Sequence, residues 1–276
     1  PLATNCSMPP SERMASQVGQ NAAPVFSAAQ SHDPFEADTT EFVLTVGSLS
    51  TKAMDAYPQR ITGLSKDGKG YRVVLTVVNP YADSARRAKM MEAPYSRNRS
   101  YDGETAKYLL PTPLIDPENE LLAGIADTLF TDESSAFAVI NKALSFTHGF
   151  LSPDDSLARR IDAGICRTLD VASIIERRRG TCSEYANLFI ALMRRKNIPA
   201  RLAVGYVYAP EYKAVGSHAW PECYLDGIGW FAVDPTMNTF WFPHFMIVKM
   251  RDGVDYEDCD IGLLKEDIEP VEIAKK

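Results

Sequence analysis

The sequence predicts an α+β protein in which a run of helices precedes an antiparallel sheet, with a small β-rich region ahead of both. Three observations carry this reading. Apolar residues recur at helical spacing from residue 118 to residue 195. Strand-length runs follow the last of these helices, between residues 200 and 236. Two β-branched runs, "EFVLTVGSL" (41–49) and "YRVVLTVVN" (71–79), stand before the first.

Residues 1–35 are rich in Ala, Ser, Pro, Gln and Asn without a sustained period, and read as a polar tail. Residues 36–113 form the expected β-rich region. Asp67-Gly68 is its turn, and "AKYLLPTP" (106–113) reads as a further short strand. Its role would be support or substrate selection. Prolines at 111, 113 and 117 punctuate a connection over 109–119, and residues 114–276 form the second expected domain.

Helices come next. "ENELLAGIADTLF" sets Leu121, Leu122, Ile125 and Leu129 on one face. "SSAFAVINKALSFTHGF" opens on a serine cap and carries Phe137, Ile140 and Leu144. "DVASIIERRRG" starts after Asp170 and ends in arginines and Gly180, a cationic C-terminus with a glycine stop. In "RRRGTCSEYANLF", Thr181 is the N-cap and Cys182 stands near the first helical position. Ala186, Phe189 and Met193, together with Tyr185, Leu188 and Leu192, bury that helix on much of its circumference. "ARLAVGYVYA" is a strand. "SHAWPECYLDGIGWFAVDPT" is a hairpin turning at residues 226–229, with 222 and 230, or residues near them, facing each other.

The chain has 276 residues, is 45% hydrophobic and carries a net charge of -7. That is ample material for a core and a poor surface for nonspecific nucleic-acid binding. The basic runs "ARRAK" (85–89) and "ERRR" (176–179) read as solvated surface. Five cysteines are scattered with no CxxC, which suggests neither a zinc site nor a dense disulfide framework. No run reaches the ~18–20 apolar residues of a membrane span. Unpaired cysteines fit a reducing compartment, whereas the polar tail and a start at Pro1 rather than Met fit a removed leader and export.

A thiol at a helix N-terminus meets the positive end of the dipole and unpaired N–H groups, both of which favour thiolate. His218 lies on the first hairpin strand, sharing a face with Trp220, Glu222 and Tyr224. Asp234 shares a face of the second strand with Trp230 and Ala232, and Pro235 ends that strand. Pairing of the two strands brings His218 and Asp234 roughly opposite each other. A cysteine nucleophile, a base and an orienting acid are what thiol catalysis needs. The Cys182 backbone N–H would receive the oxyanion, with Thr181 and Trp220 in the vicinity. Trp220 would shield the site or fill the core. Glu222 would pair with Arg201 or Tyr206, and Cys223 would face the core.

These stretches, and more loosely "VKMRDGVDYEDCDIG" (248–262), resemble the transglutaminase-like superfamily over about residues 118–262. This papain-like branch includes bacterial candidate cysteine proteases, transglutaminases and peptide N-glycanases. The resemblance implies a Cys182–His218–Asp234 triad and a papain-like core. It also implies thiol-dependent acyl transfer on peptide or isopeptide amides, hydrolytic in the first instance, with no metal or organic cofactor and a peptide or protein as substrate. A transglutaminase using an amine acceptor, an acyl-coenzyme A-dependent N-acetyltransferase and a non-catalytic scaffold of the same fold are the alternatives. Two departures stand out. Pro221 cannot donate to a ladder, so its strand should be an edge or bulged there. The zinc-binding CxxC pairs of peptide N-glycanases are missing, which argues against glycan release.

Overall fold

The computed structural model describes residues 39–46, 51–68, 70–131, 133, 135–209, 214–242, 247–259 and 269–275. The tail read at 1–35, Cys6, His244 and the end of the 248–262 motif lie outside the described residues. The fold is mixed: helices and two four-stranded antiparallel sheets, with a minor parallel pair.

The first sheet gathers β1 (Thr39–Val46), β2 (Gln59–Asp67), β3 (Gly70–Val78) and the C-terminal β10 (Glu269–Lys275), in the order β10-β1-β3-β2. A short α1 (Thr51–Met54) links β1 to β2. The β-branched runs supply its buried face: Phe42, Leu44, Val46, Val73, Leu75 and Val77 form one core. Gly68, with φ 56°, makes the expected turn between β2 and β3. After it come α2 (Ser84–Glu92), capped by Asp83, and α3 (Gly103–Ala106), which runs into a 3₁₀ turn over Lys107–Leu109. The strand expected at 106–113 is therefore helical in its first half. Asp102 caps Thr105 N–H and commits the chain to helix just upstream. The basic run at 85–89 is also not simply solvated. Arg86 Nη2 donates to Ile228 O at 3.0 Å and Arg87 Nη1 to Ala82 O at 3.1 Å, both half-buried. The run at 176–179 is exposed as expected.

The proline-punctuated connection is seated on the protein. Ile115 is fully buried, and Arg194 and Arg195 donate to Leu110 O and Pro117 O. Four helices follow: α4 (Glu120–Leu129), α5 (Ala136–Phe150), α6 (Asp155–Asp162) and α7 (Val171–Arg177). Asn119, Ser135, Asp154 and Asp170 cap them through side-chain oxygens. On α4, Leu122 is buried but Leu121 is exposed, so the apolar face is narrower than its spacing suggests. β4 (Ser152–Pro153) and β5 (Arg179–Gly180) form the parallel pair. They lead into α8 (Cys182–Arg195), buried from Cys182 through Arg194.

The second sheet, in the order β8-β7-β6-β9, consists of β6 (Ala200–Ala209), β7 (Ala214–Leu225), β8 (Gly229–Ala232) and β9 (Ile247–Gly253). α8 packs against β6 and β7, with α4, α5 and α7 on its other sides. β9 joins the two sheets. Val248 and Met250 enter the core of the first, while Gln59 Nε2 donates to Lys249 O at 2.7 Å and Lys249 N donates to Gln59 Oε1 at 2.9 Å.

Candidate active site

β7 and β8 pair with Glu222 opposite Ala232 and Tyr224 opposite Trp230. Glu222 thus faces a residue two positions beyond Trp230. The difference is even, so the faces are unchanged. Positive φ at Gly227 (71°) and Gly229 (84°) turns the chain and sets this register. Pro221 sits in an interior strand with no bulge against β6, where it pairs with Leu202. The expected edge exists only locally. Pro221 O accepts Val233 N–H at 3.1 Å, so its missing N–H also points to the β8 side. β8 ends at Ala232, and the ladder loses little there.

His218 and Asp234 meet at this end of the hairpin. His218 Nε2 donates to Asp234 Oδ2 at 2.8 Å, with both side chains buried. Asp234 Oδ1 accepts the backbone N–H groups of Thr236 (2.7 Å) and Met237 (3.2 Å), and the Asp234 and Thr239 backbones exchange two bonds. The carboxylate is therefore fixed in a tight loop, and Nδ1 is the ring nitrogen left for another partner. Trp220 and Phe242 flank His218 at ring-centroid distances of 6.1 and 6.2 Å. Trp220 is fully buried with Ala203, Val207, Ala232 and Phe242, and its Nε1 has no partner among the described residues. Ala219, Cys223 and Leu225 alternate to the other side of β7 and join the core around α8. Burial pushes the Cys223 thiol well above its ordinary range, as it does that of Cys259.

Cys182 is the first residue of α8 and is buried. Its sulfur is bonded in a disulfide in this structure. Thr181 caps the helix, its hydroxyl accepting Ser183 N–H at 3.3 Å and donating to Glu184 Oε2 at 2.6 Å. The last turn of α5 links the cysteine helix to the aspartate loop. Tyr185, one turn from Cys182, donates its hydroxyl to Leu151 O at 2.8 Å. His148 Nδ1 donates to Thr236 O at 3.1 Å, and Ser145 Oγ donates to Asn238 Oδ1 at 3.4 Å.

Two groups escape the sequence reading. Glu184 completes a capping box with Thr181, and the T-x-x-E spacing was the available signal. The second is a buried ion cluster beside Trp220. Glu222 takes Arg201 Nε at 2.8 Å, as expected, but also Lys249 Nζ at 3.2 Å, and Asp252 pairs with both cations at 3.3 and 2.9 Å. Burial opposes ionisation of Glu222, yet Lys249 and Arg201 together hold its carboxyl at about 2. A buried lysine brought in from β9, 27 residues away in sequence, left no local pattern to read. Among the described residues, no group of three or more His, Cys, Asp or Glu side chains is arranged to hold a metal ion, and no helix is long and apolar enough to cross a membrane.

Residues 157–235 match the family model described as the transglutaminase-like superfamily. Over 86 residues the chain is 31% identical to the uncharacterized protein ML0607 of Mycobacterium leprae (strain TN), a match spanning 29% of each chain. Among solved structures, one described as a candidate cysteine protease from Cytophaga hutchinsonii superposes with a TM-score of 0.56, covering 87% of this chain and 88% of its own at 16% identity. That is a likeness of fold. The periplasmic domain of TgpA from Pseudomonas aeruginosa gives a TM-score of 0.37 at 14% identity, over 81% of this chain and 91% of its own.

Proposed function

Residues 157–235 of this chain belong to the transglutaminase-like superfamily, and we propose that it is a thiol-dependent acyl-transfer enzyme that hydrolyses peptide or isopeptide amides. The observation that carries the reading is the buried 2.8 Å bond between His218 Nε2 and Asp234 Oδ2, on the strand against which the Cys182 helix packs. A histidine oriented through one nitrogen by an immobile carboxylate is poised to exchange a proton through the other.

The reactive form is Cys182 reduced to its thiolate. The sulfur adds to the amide carbonyl carbon, and the Cys182 backbone N–H at the head of α8 stabilises the oxyanion. His218, having taken the thiol proton, returns it from Nδ1 to the departing amine as the C–N bond breaks. A thioester remains. Water then adds to it, giving its proton to His218, and the C–S bond breaks to release a carboxylate and the thiolate. Asp234 holds the imidazole and stabilises its charged form throughout.

The test is mass-resolved alkylation by iodoacetamide after reduction and desalting, across pH 5–9, on the wild type, Cys182→Ser and His218→Ala. The reading expects one fast adduct well below the pKa of about 8.5 of a free thiol, lost in both variants. Labelling of Cys182 with an ordinary thiol profile, or one indifferent to His218→Ala, overturns it.

A further inference from the structure

Glu184 lies in the first turn of α8 and is fully buried. Its carboxylate receives four donors. Oε2 accepts the Thr181 backbone N–H at 2.7 Å and the Thr181 hydroxyl at 2.6 Å. Oε1 accepts the Thr168 hydroxyl and the Leu169 backbone N–H, the latter at 3.0 Å. One turn along the same helix, Asn187 Nδ2 donates to Leu169 O at 3.3 Å. Both backbone polar groups of Leu169 are thus held by side chains of the cysteine helix. Gly180 makes room for the stem of the same side chain, since a Cβ there would lie 2.3 Å from Glu184 Cβ.

An N-cap needs only Thr181, and a capping box needs only one oxygen of Glu184. Here the second oxygen is spent on a different segment, the one between α6 and α7. The charged groups flanking it are engaged elsewhere: Arg167 with Glu257 at 2.6 Å, and Asp170 in capping α7. Only a carboxylate satisfies all four donors. A glutamine presents one acceptor and one NH₂, so it leaves the Leu169 or the Thr181 backbone N–H buried and unpaired.

We propose that Glu184 is the positioning residue of the nucleophile, tying the Gly180–Cys182 turn and the Thr168–Leu169 backbone into one rigid wall beside the thiol. The inference rests on the acyl-transfer reading. It makes a prediction opposite to that of charge alone. A negative charge in the first turn disfavours the thiolate, so removing charge without moving anything would lower the Cys182 pKa. Loss of positioning instead frees the thiol from the helix N-terminus and moves it toward the free value.

The experiment compares iodoacetamide alkylation of Cys182 in the reduced wild type, Glu184→Gln and Thr168→Val, from pH 5 to 9, with circular dichroism to confirm folding. In Glu184→Gln the alkylation limb should move upward and the rate at pH 6 should fall at least tenfold. Thr168→Val removes one donor and should move it in the same direction by less. Superposed profiles, or a downward shift, overturn the inference, and Thr168→Val decides alone if Glu184→Gln does not fold. If wild-type Cys182 already titrates as an ordinary thiol, the acyl-transfer reading falls, and this inference falls with it. An activated wild type with unchanged variants sinks the positioning role only.

Discussion

His218 and Asp234 are joined at 2.8 Å although they do not face each other directly in the hairpin. With Glu222 opposite Ala232, continuation of the register sets Asp234 across from Trp220. The contact is therefore diagonal, along one face, and the aspartate is steadied by the backbone N–H groups of Thr236 and Met237. Asp234→Asn keeps those two bonds but offers His218 an amide, which favours the wrong tautomer. Peptide hydrolysis should fall about 10³-fold or more, while thermal unfolding shifts little. Steady-state kinetics together with a melting curve check both halves.

Gly205 pairs with His218 on β7 and with Lys249 on β9, where the register shifts. A Cβ at this position would lie 2.0 Å from Val248 O. That contact is with backbone and has no flexible end to yield. Gly205→Ala should cost about 1–3 kcal/mol by forcing β6 and β9 apart. Urea denaturation measures it, and an unchanged midpoint would mean that the strands do not approach as described.

Glu222 couples stability to acid. Its folded carboxyl is held at about 2, below the ordinary value of a glutamate. The sign follows from linkage: the contribution is fully present above the unfolded pKa of about 4.3, and is lost as pH falls through that value toward 2. Glu222→Gln should flatten the pH dependence of stability between about pH 4.5 and 2. At neutral pH it should cost about 1–3 kcal/mol, because Lys249 and Arg201 keep Asp252 but lose the more buried of their two carboxylates. Unfolding at a series of pH values gives both numbers.

On the proposed acyl-transfer reading, water rather than an amine resolves the Cys182 thioester. On a glutamine-containing peptide with a fluorescent primary amine in excess, the released carboxylate should dominate over the amine adduct. Chromatography of the products separates the two, and a dominant adduct would reassign the chemistry to transamidation.

Much of the local geometry of the candidate site was legible in the linear sequence because it is built from local patterns. Thr181 before a buried helical run places Cys182 at N1, and period-2 alternation puts His218 with Trp220 and Asp234 with Ala232. Caps at Ser135 and Asp170, and glycine turns at residues 68 and 227–229, were readable for the same reason: each depends on a few adjacent residues.

What the sequence by itself determined is therefore the helices and strands around the candidate site, their order and the faces on which their side chains alternate. Only the tertiary structure decided how those faces met. It completed the first sheet with β10 from the far end of the chain and tied Gln59 to Lys249 across 190 residues. It kept Pro221 inside a sheet by ending β8 beside it. It turned the second oxygen of Glu184 onto Thr168 and Leu169. The physical reason is common to all four. Periodicity and capping are set by neighbours along the chain, whereas the partner of a buried polar group is whichever group packing brings within about 3 Å, and that choice leaves no spacing to read.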